Sequence, residues 1–179
     1  MKTRYVIVTF AATALTASFA VLETSASSAH PERVPAVTVT SLQGERLNLH
    51  ATRGPLLVNF WSTGCAACVT ELADLAALHT KFARRGLSVI GVTTRYDPPN
   101  DVLTVARDKR IPYSVALDLE GDVMRAFGDV EVLPTSLLIA PDGRILQRIR
   151  GAIDLADVSE RVRQMLPEPG AIAGLRPAK

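Results

Sequence analysis

The chain has 179 residues, enough for one ordinary domain with a proper core, and its 47% hydrophobic and 21% charged residues match an average globular protein. The formal net charge is only +2, the arginines are scattered, and no basic run or aromatic–basic interleaving occurs. Nucleic acid is therefore not an expected partner. The N-terminus reads basic, then apolar, then small: Met1-Lys2-Thr3-Arg4, the uncharged residues 5–22, and "ETSASSAH" with cleavage points after Ala20, Ala26 or Ala29. That order predicts a signal peptide over residues 1–29. The apolar run is long for a signal and borderline for a membrane span, so an uncleaved anchor over residues 5–22 is the alternative. Lys2 and Arg4 lie before the run and only Glu23 lies close behind it, so both readings export the domain, to the periplasm. Without residues 1–29 the chain keeps 18 cations against 17 anions, a net charge of +1.

Val37–Thr40 and Leu47–Leu49 read as a small hairpin around a turn containing Gly44. "PLLVNFW" is a nearly continuous apolar run, which suits a central strand covered on both faces. From Cys65 to about Arg84 the period becomes helical, with Cys68, Glu71, Leu75, Leu78 and Phe82 on one stripe. Gly86 ends that helix, and "LSVIGVTT" is a second buried strand. The turn Asp97-Pro98-Pro99-Asn100 leads to a helix predicted over Asp101 to Arg110. "YSVALD" is a short extended segment and "GDVMRAFG" a helix of one to two turns. "PTSLLIA" and "RILQRIR" are strands joined by Pro141-Asp142-Gly143, a hairpin turn, and Asp154 to Leu166 is the last helix. Residues 167–179 read as a tail. The order predicts a mixed α/β sheet with helices on both faces.

The chemistry concentrates in "NFWSTGCAAC", residues 59–68, which holds the only two cysteines. Cys65 follows a buried strand and opens a helix, where unpaired N–H groups and the positive end of the dipole lower a thiol's pKa. Cys68 lies one turn on, on the inward stripe, so an exposed attacking thiol is paired with a sheltered resolving one. A Cys-x-x-Cys beside a βαβ pattern reads as a thioredoxin-like redox site. Two other readings remain. A zinc clip needs about four ligands, and His30, His50 and His79 do not pair in metal-site spacing. A structural disulfide closing so short a loop stabilises little. Glu71 has two readings as well: a proton acceptor for the resolving thiol, if burial raises its pKa, or a surface glutamate early in a helix.

The segment "LLVNFWSTGCAACVTEL", the hairpin before it and "VLPTSLLIAPDGRILQRIRG" resemble the TlpA/ResA/CcmG-like thioredoxin family of exported thiol:disulfide oxidoreductases. The resemblance spans residues 36–166 and implies a thioredoxin fold with a mixed central sheet flanked by helices. It implies a redox-active Cys65–Cys68 disulfide and no other cofactor or metal. It also implies a cis-proline loop at Leu133-Pro134-Thr135 that pairs with substrate, a helix carboxylate at Glu71, and an insertion between Tyr113 and Asp129. Thioredoxin's buried Asp position falls on Asn59. Two departures stand out: Gly64 replaces the usual Trp before the first cysteine, leaving Cys65 less shielded and part of the substrate surface, and Ala66-Ala67 lacks the usual proline. The implied partners are client proteins with thiols or disulfides, such as apocytochromes c or a copper-site oxidase subunit, and a membrane electron donor of the DsbD/CcdA type. The expected state is a monomer.

Trp61 is expected in the core behind the site, while Tyr96 and Asp97 follow the second strand toward its rim, although Asp97-Pro98-Pro99 is adequately explained as a turn. Motif spacing argues against two alternatives to a client reductase. A peroxiredoxin-like peroxidase wants Pro seven and Thr three residues before its reactive Cys, where Val58 and Ser62 stand. A Sco-type copper chaperone wants Cys-x-x-x-Cys and a distant histidine, and no histidine follows His79.

Overall fold

The structure is a computed structural model that describes residues 32–50 and 52–167. The signal or anchor segment, His30 and residues 168–179 lie outside the described residues. Among those described, no helix is long and apolar enough to cross a membrane.

The element order is β1 (Thr38–Thr40), β2 (Arg46–Asn48), β3 (Leu56–Trp61), α1 (Ala66–Phe82), β4 (Ser88–Thr93), α2 (Pro99–Asp108), β5 (Ser114–Leu117), α3 (Asp122–Ala126), β6 (Thr135–Ile139), β7 (Ile145–Arg150) and α4 (Leu155–Met165). A five-stranded mixed sheet runs β5-β4-β3-β6-β7, with β3, β4 and β5 parallel and β6 and β7 antiparallel to their neighbours. Every residue of β3 is buried, as its unbroken apolar run requires of a central strand.

The alternation of β3 divides the core. Leu57 and Trp61 face α1, α2 and α4, packing with Leu72, Leu75, Leu78, Val102, Val158 and Val162. Leu56, Val58 and Phe60 face the other side, where Phe127 beyond α3 meets Phe60 edge-on at 5.4 Å. Helices do flank both faces, but α3 is one short helix, and the N-terminal segment completes that cover. Val34, Val39 and Leu49 lie in this second cluster, and Ser41 bridges to Ala116 on β5. The stretch between Tyr113 and Asp129 contributes the edge strand β5 and α3.

Helix boundaries differ from the sequence reading by one or two residues. α2 begins at Pro99 and ends at Asp108, two residues earlier at each end than predicted. Proline at the first helical position has its φ already set and no N–H to lose. At the other end, Arg110 adopts φ 50°, which stops the helix. Cys65 is the cap of α1 rather than its first residue, and a 3-10 turn, Ala83–Arg85, closes that helix before Gly86 at φ 115°.

α4 starts where Asp154 accepts hydrogen bonds from the N–H groups of Ala156 at 2.9 Å and Asp157 at 3.1 Å. This cap fixes the chain entry that carries Ile153 toward the site. Asp154→Ala is expected to cost about 1 kcal/mol, the usual worth of such a cap, read as a lower urea midpoint with unchanged slope.

Candidate active site

β3 runs out at Trp61, and the loop Ser62–Gly64 carries the chain to Cys65. Cys65 has the extended backbone of a helix cap, φ −98° and ψ 104°, and its Sγ accepts a hydrogen bond from the Cys68 N–H at 3.2 Å. Sulfur thus takes the place that a Ser or Asp oxygen fills elsewhere. The same N–H and the helix dipole favour negative charge on that sulfur once the bond to Cys68 opens. The two cysteines form a disulfide with Cα atoms 5.2 Å apart. Cys65 is half-buried and Cys68 fully buried. In the reduced protein at neutral pH, iodoacetamide is therefore expected to label Cys65 at least about tenfold faster than Cys68. Equal rates would remove the division between an attacking and a resolving thiol.

Asp97, which the sequence explains as a turn residue, is 4% exposed and holds this loop in place. Its Oδ1 accepts from Thr63 N–H and Oγ1, both at 2.7 Å, and from Ser62 Oγ at 2.9 Å. Its Oδ2 accepts from Thr94 Oγ1 at 2.6 Å and N–H at 3.1 Å. Burial by itself would raise its pKa, but these donors outweigh it and hold the carboxyl below its usual range. A charged group can be buried here because every lone pair on that side has a donor. The Thr94 donors belong to Asp97's own turn, but no local pattern announces those from Ser62 and Thr63, which come from the cysteine loop.

Behind the disulfide, Glu71 is 2% exposed, which excludes the surface-charge reading. Its Oε1 accepts from Ile153 N–H at 2.6 Å, and its Oε2 from Asn59 Nδ2 at 3.0 Å. Asn59 Nδ2 also donates to Ser136 Oγ at 3.0 Å. Burial pushes the Glu71 carboxyl up, the two donors pull it partly back, and the charge of Asp74 adds to the rise. The balance raises the pKa above the usual glutamate value, the direction that helps a carboxylate accept a proton from a thiol. Ser136 and the Ile153 N–H were not anticipated. They come from β6 and the α4 entry, 77 and 82 residues away from their partners.

The Leu133–Pro134 peptide bond is cis. Register pairs Thr135 with Phe60, so the loop before β6 lies at the end of the sheet from which the cysteine loop springs. Cys65 and Leu133 pack against the same core cluster. Pro134 is buried, and its carbonyl accepts from Gly151 N–H at 2.8 Å, while Thr135 Oγ1 donates to Val132 O at 2.7 Å. Leu133 itself is half-buried. Gly64 is exposed, and a Cβ there would approach only Ser62 Oγ, at 3.9 Å, so this side of the cysteine is open. Beside Leu133 runs a cleft of about 770 Å³ walled by Thr94, Tyr96, Met124, Arg125 and Glu131. Tyr96 stands 77% exposed with the Arg95 guanidinium over its ring, a rim position, whereas Trp61 is wholly buried behind the site.

A family model described as "AhpC/TSA family" matches residues 31–148. The chain belongs to this family. Within the AhpC/TSA family its similarity is to proteins named thiol-disulfide oxidoreductase ResA. The one from Bacillus thuringiensis subsp. konkukian is 27% identical over 137 residues, covering 76% of this chain and 78% of the relative. The one from Bacillus subtilis is 26% identical over 141 residues, covering 78% and 76%. Among solved structures, a thioredoxin-family thiol:disulfide interchange protein from Chlorobium tepidum superposes with a TM-score of 0.67 at 24% identity, over 76% of this chain and 97% of that one. StoA from Bacillus subtilis gives 0.64 at 19% identity, over 72% and 98%. The fold of this AhpC/TSA family member is thus the thioredoxin fold that the resemblance implied.

Proposed function

We propose that this protein is an exported thiol:disulfide oxidoreductase that reduces selected client cysteines, with Cys65 as nucleophile and Cys68 as resolving thiol. The observation that carries the reading is the disulfide at the α1 N-terminus, half-open at Cys65, closed at Cys68, and backed by the buried carboxyl of Glu71. In the reductive direction, the Cys65 thiolate attacks one sulfur of a client disulfide. A Cys65–client disulfide forms and the other client sulfur leaves as a thiolate. Glu71 takes the proton of Cys68, whose thiolate then attacks Cys65. The second client sulfur departs, the Cys65–Cys68 disulfide forms, and two electrons have passed to the client. A membrane electron donor of the DsbD/CcdA type returns them. The redox-active disulfide is the only redox centre this cycle needs.

Leu133, Pro134, Thr135 and Gly64 are assigned to client binding on the resemblance to the TlpA/ResA/CcmG-like family, the Leu133 backbone pairing with the client strand. Export to the periplasm, with the protein free or anchored by residues 5–22, rests on the signal-like residues 1–29, and a monomer is the expected state. The clients we infer are apocytochromes c before haem attachment or a copper-site oxidase subunit. The resemblance to the TlpA/ResA/CcmG-like proteins supports this. The peroxidase alternative is disfavoured because Val58, at its proline position, faces the core on the side away from α1. A copper site shared with His79 is disfavoured because His79 lies fourteen positions beyond Cys65 along α1, roughly 21 Å along the axis. The test is catalysis of insulin disulfide reduction by dithiothreitol, set beside peroxide consumption. Peroxide turnover without disulfide turnover would overturn the reading.

A further inference from the structure

Asn59 is fully buried, and both hydrogens of its amide are committed, one to Glu71 Oε2 and one to Ser136 Oγ. Its Oδ1 is buried with no partner. A buried carboxamide that works through one end only is unusual, since unpaired buried polar atoms are few in folded proteins. The arrangement suits a carboxylate, which only accepts. It does not suit the acid. Oε1 faces the fixed Ile153 N–H, which can only donate, so a proton on Glu71 belongs on Oε2. There the O–H would confront the Asn59 amino group, donor against donor.

A half-turn about the last side-chain bond removes the conflict. It brings Oδ1 to the place of Nδ2, where it accepts from Glu71 O–H and from Ser136 O–H, since a hydroxyl both donates and accepts. Each orientation makes two hydrogen bonds through one end and leaves the other end unpartnered. The two differ in what they offer Glu71 and in which end is left bare, a carbonyl oxygen in one and an NH2 in the other. We propose that the Asn59 carboxamide turns over with the proton on Glu71, presenting its NH2 to the carboxylate and its carbonyl oxygen to the acid, so that both halves of the proton cycle find a partner. Asn59 is then a positioning residue acting through Glu71, with Ser136 as the hydroxyl that follows it. An aspartate at this position would compete for the proton, and an apolar side chain would support neither state. The other groups facing Glu71 are Cys68 and Asp74 on α1 and Tyr113 ahead of β5, whose unpartnered hydroxyl is pushed up by burial and by Glu71.

The inference rests on Glu71 serving as the base for Cys68, yet it can be read without turnover. The oxidised full-length protein, with 15N-labelled asparagine side chains and 13C-labelled glutamate carboxyls, is titrated by NMR. The Asn59 amide signals are expected to shift with the Glu71 carboxyl midpoint, and their proximity to Ser136 Hβ to be lost on the acid side. In Glu71→Gln the carboxamide oxygen must face Ile153 N–H, so Asn59 is expected in the acid-side form at every pH. An amide that keeps its Ser136 contact through the Glu71 titration would overturn the proposal. Kinetics supply the second reading. Asn59→Leu is expected to slow release from the mixed disulfide about tenfold when Glu71 is present, and to add nothing to the loss that Glu71→Gln causes by itself. Full additivity of the two losses would also overturn it. A wild type that turns over no disulfide would instead sink the functional reading and leave the amide titration interpretable.

Discussion

Cys68→Ala is expected to convert the protein from a turnover catalyst into a covalent trap. The chain has only two cysteines, so once Cys65 has bonded to a client sulfur no other thiol within it can release the adduct. Turnover of insulin disulfides should fall by about 1,000-fold or more, because the resolving attack is removed rather than weakened. The fold should survive, since alanine favours the helix and the change removes only one buried sulfur. Expressed with its N-terminal segment, the variant should accumulate adducts that dissolve on reduction. Their identities would distinguish apocytochromes or an oxidase subunit from a broad set of unrelated proteins, the mark of a general oxidant or isomerase. Cys65→Ala should trap far less. If neither variant captures a partner, the redox reading fails.

The second large effect is expected at Glu71. Glu71→Gln should slow the resolving step at pH 7 by roughly 100-fold, the usual scale for losing a positioned base, while leaving the attack by Cys65 little changed. The substitution is tolerable because the carboxamide oxygen can meet Ile153 N–H while a rotated Asn59 accepts from its amino group. Single-turnover release from a preformed mixed disulfide measures the step directly, and an unchanged rate across pH 6–9 would return Glu71 to a structural role. The same group has a signature in stability. Burial raises its folded pKa above 4.5, so the folded state holds a proton that the unfolded chain has lost. Wild-type stability should therefore decline as pH rises from about 4.5 through the folded pKa, then level off. Glu71→Gln, which has no proton to lose, should show no such decline.

The elements that could be read from the sequence are those whose cause is local. The run Leu56–Trp61 is a strand because it is apolar throughout. The spacing of Cys68, Glu71, Leu75, Leu78 and Phe82 puts one face of α1 inward. Asp142-Gly143 turns β6 into β7 because glycine accepts φ 82°. The cysteine pair at a strand-to-helix junction is equally local, and so its chemistry was legible before its geometry. The proline loop was legible only through resemblance, since an X-Pro bond carries its isomer nowhere in its own residues.

The tertiary structure decided which polar groups face one another. Periodicity places Glu71 on an apolar stripe, but it does not say whether that stripe hides a charge or a neutral acid. The answer lies with Asn59, Ser136 and the Ile153 N–H, brought together from β3, β6 and the entry to α4. Asp97 is the same case: a turn residue by its neighbours, an anchor of the cysteine loop by its five donors. Hydrophobic burial is non-directional and proportional to area, so its pattern is written along the chain and survives reading in one dimension. A buried hydrogen bond depends on angle and on a gap of about 3 Å between groups distant in sequence, and only the assembled sheet and helices set that gap.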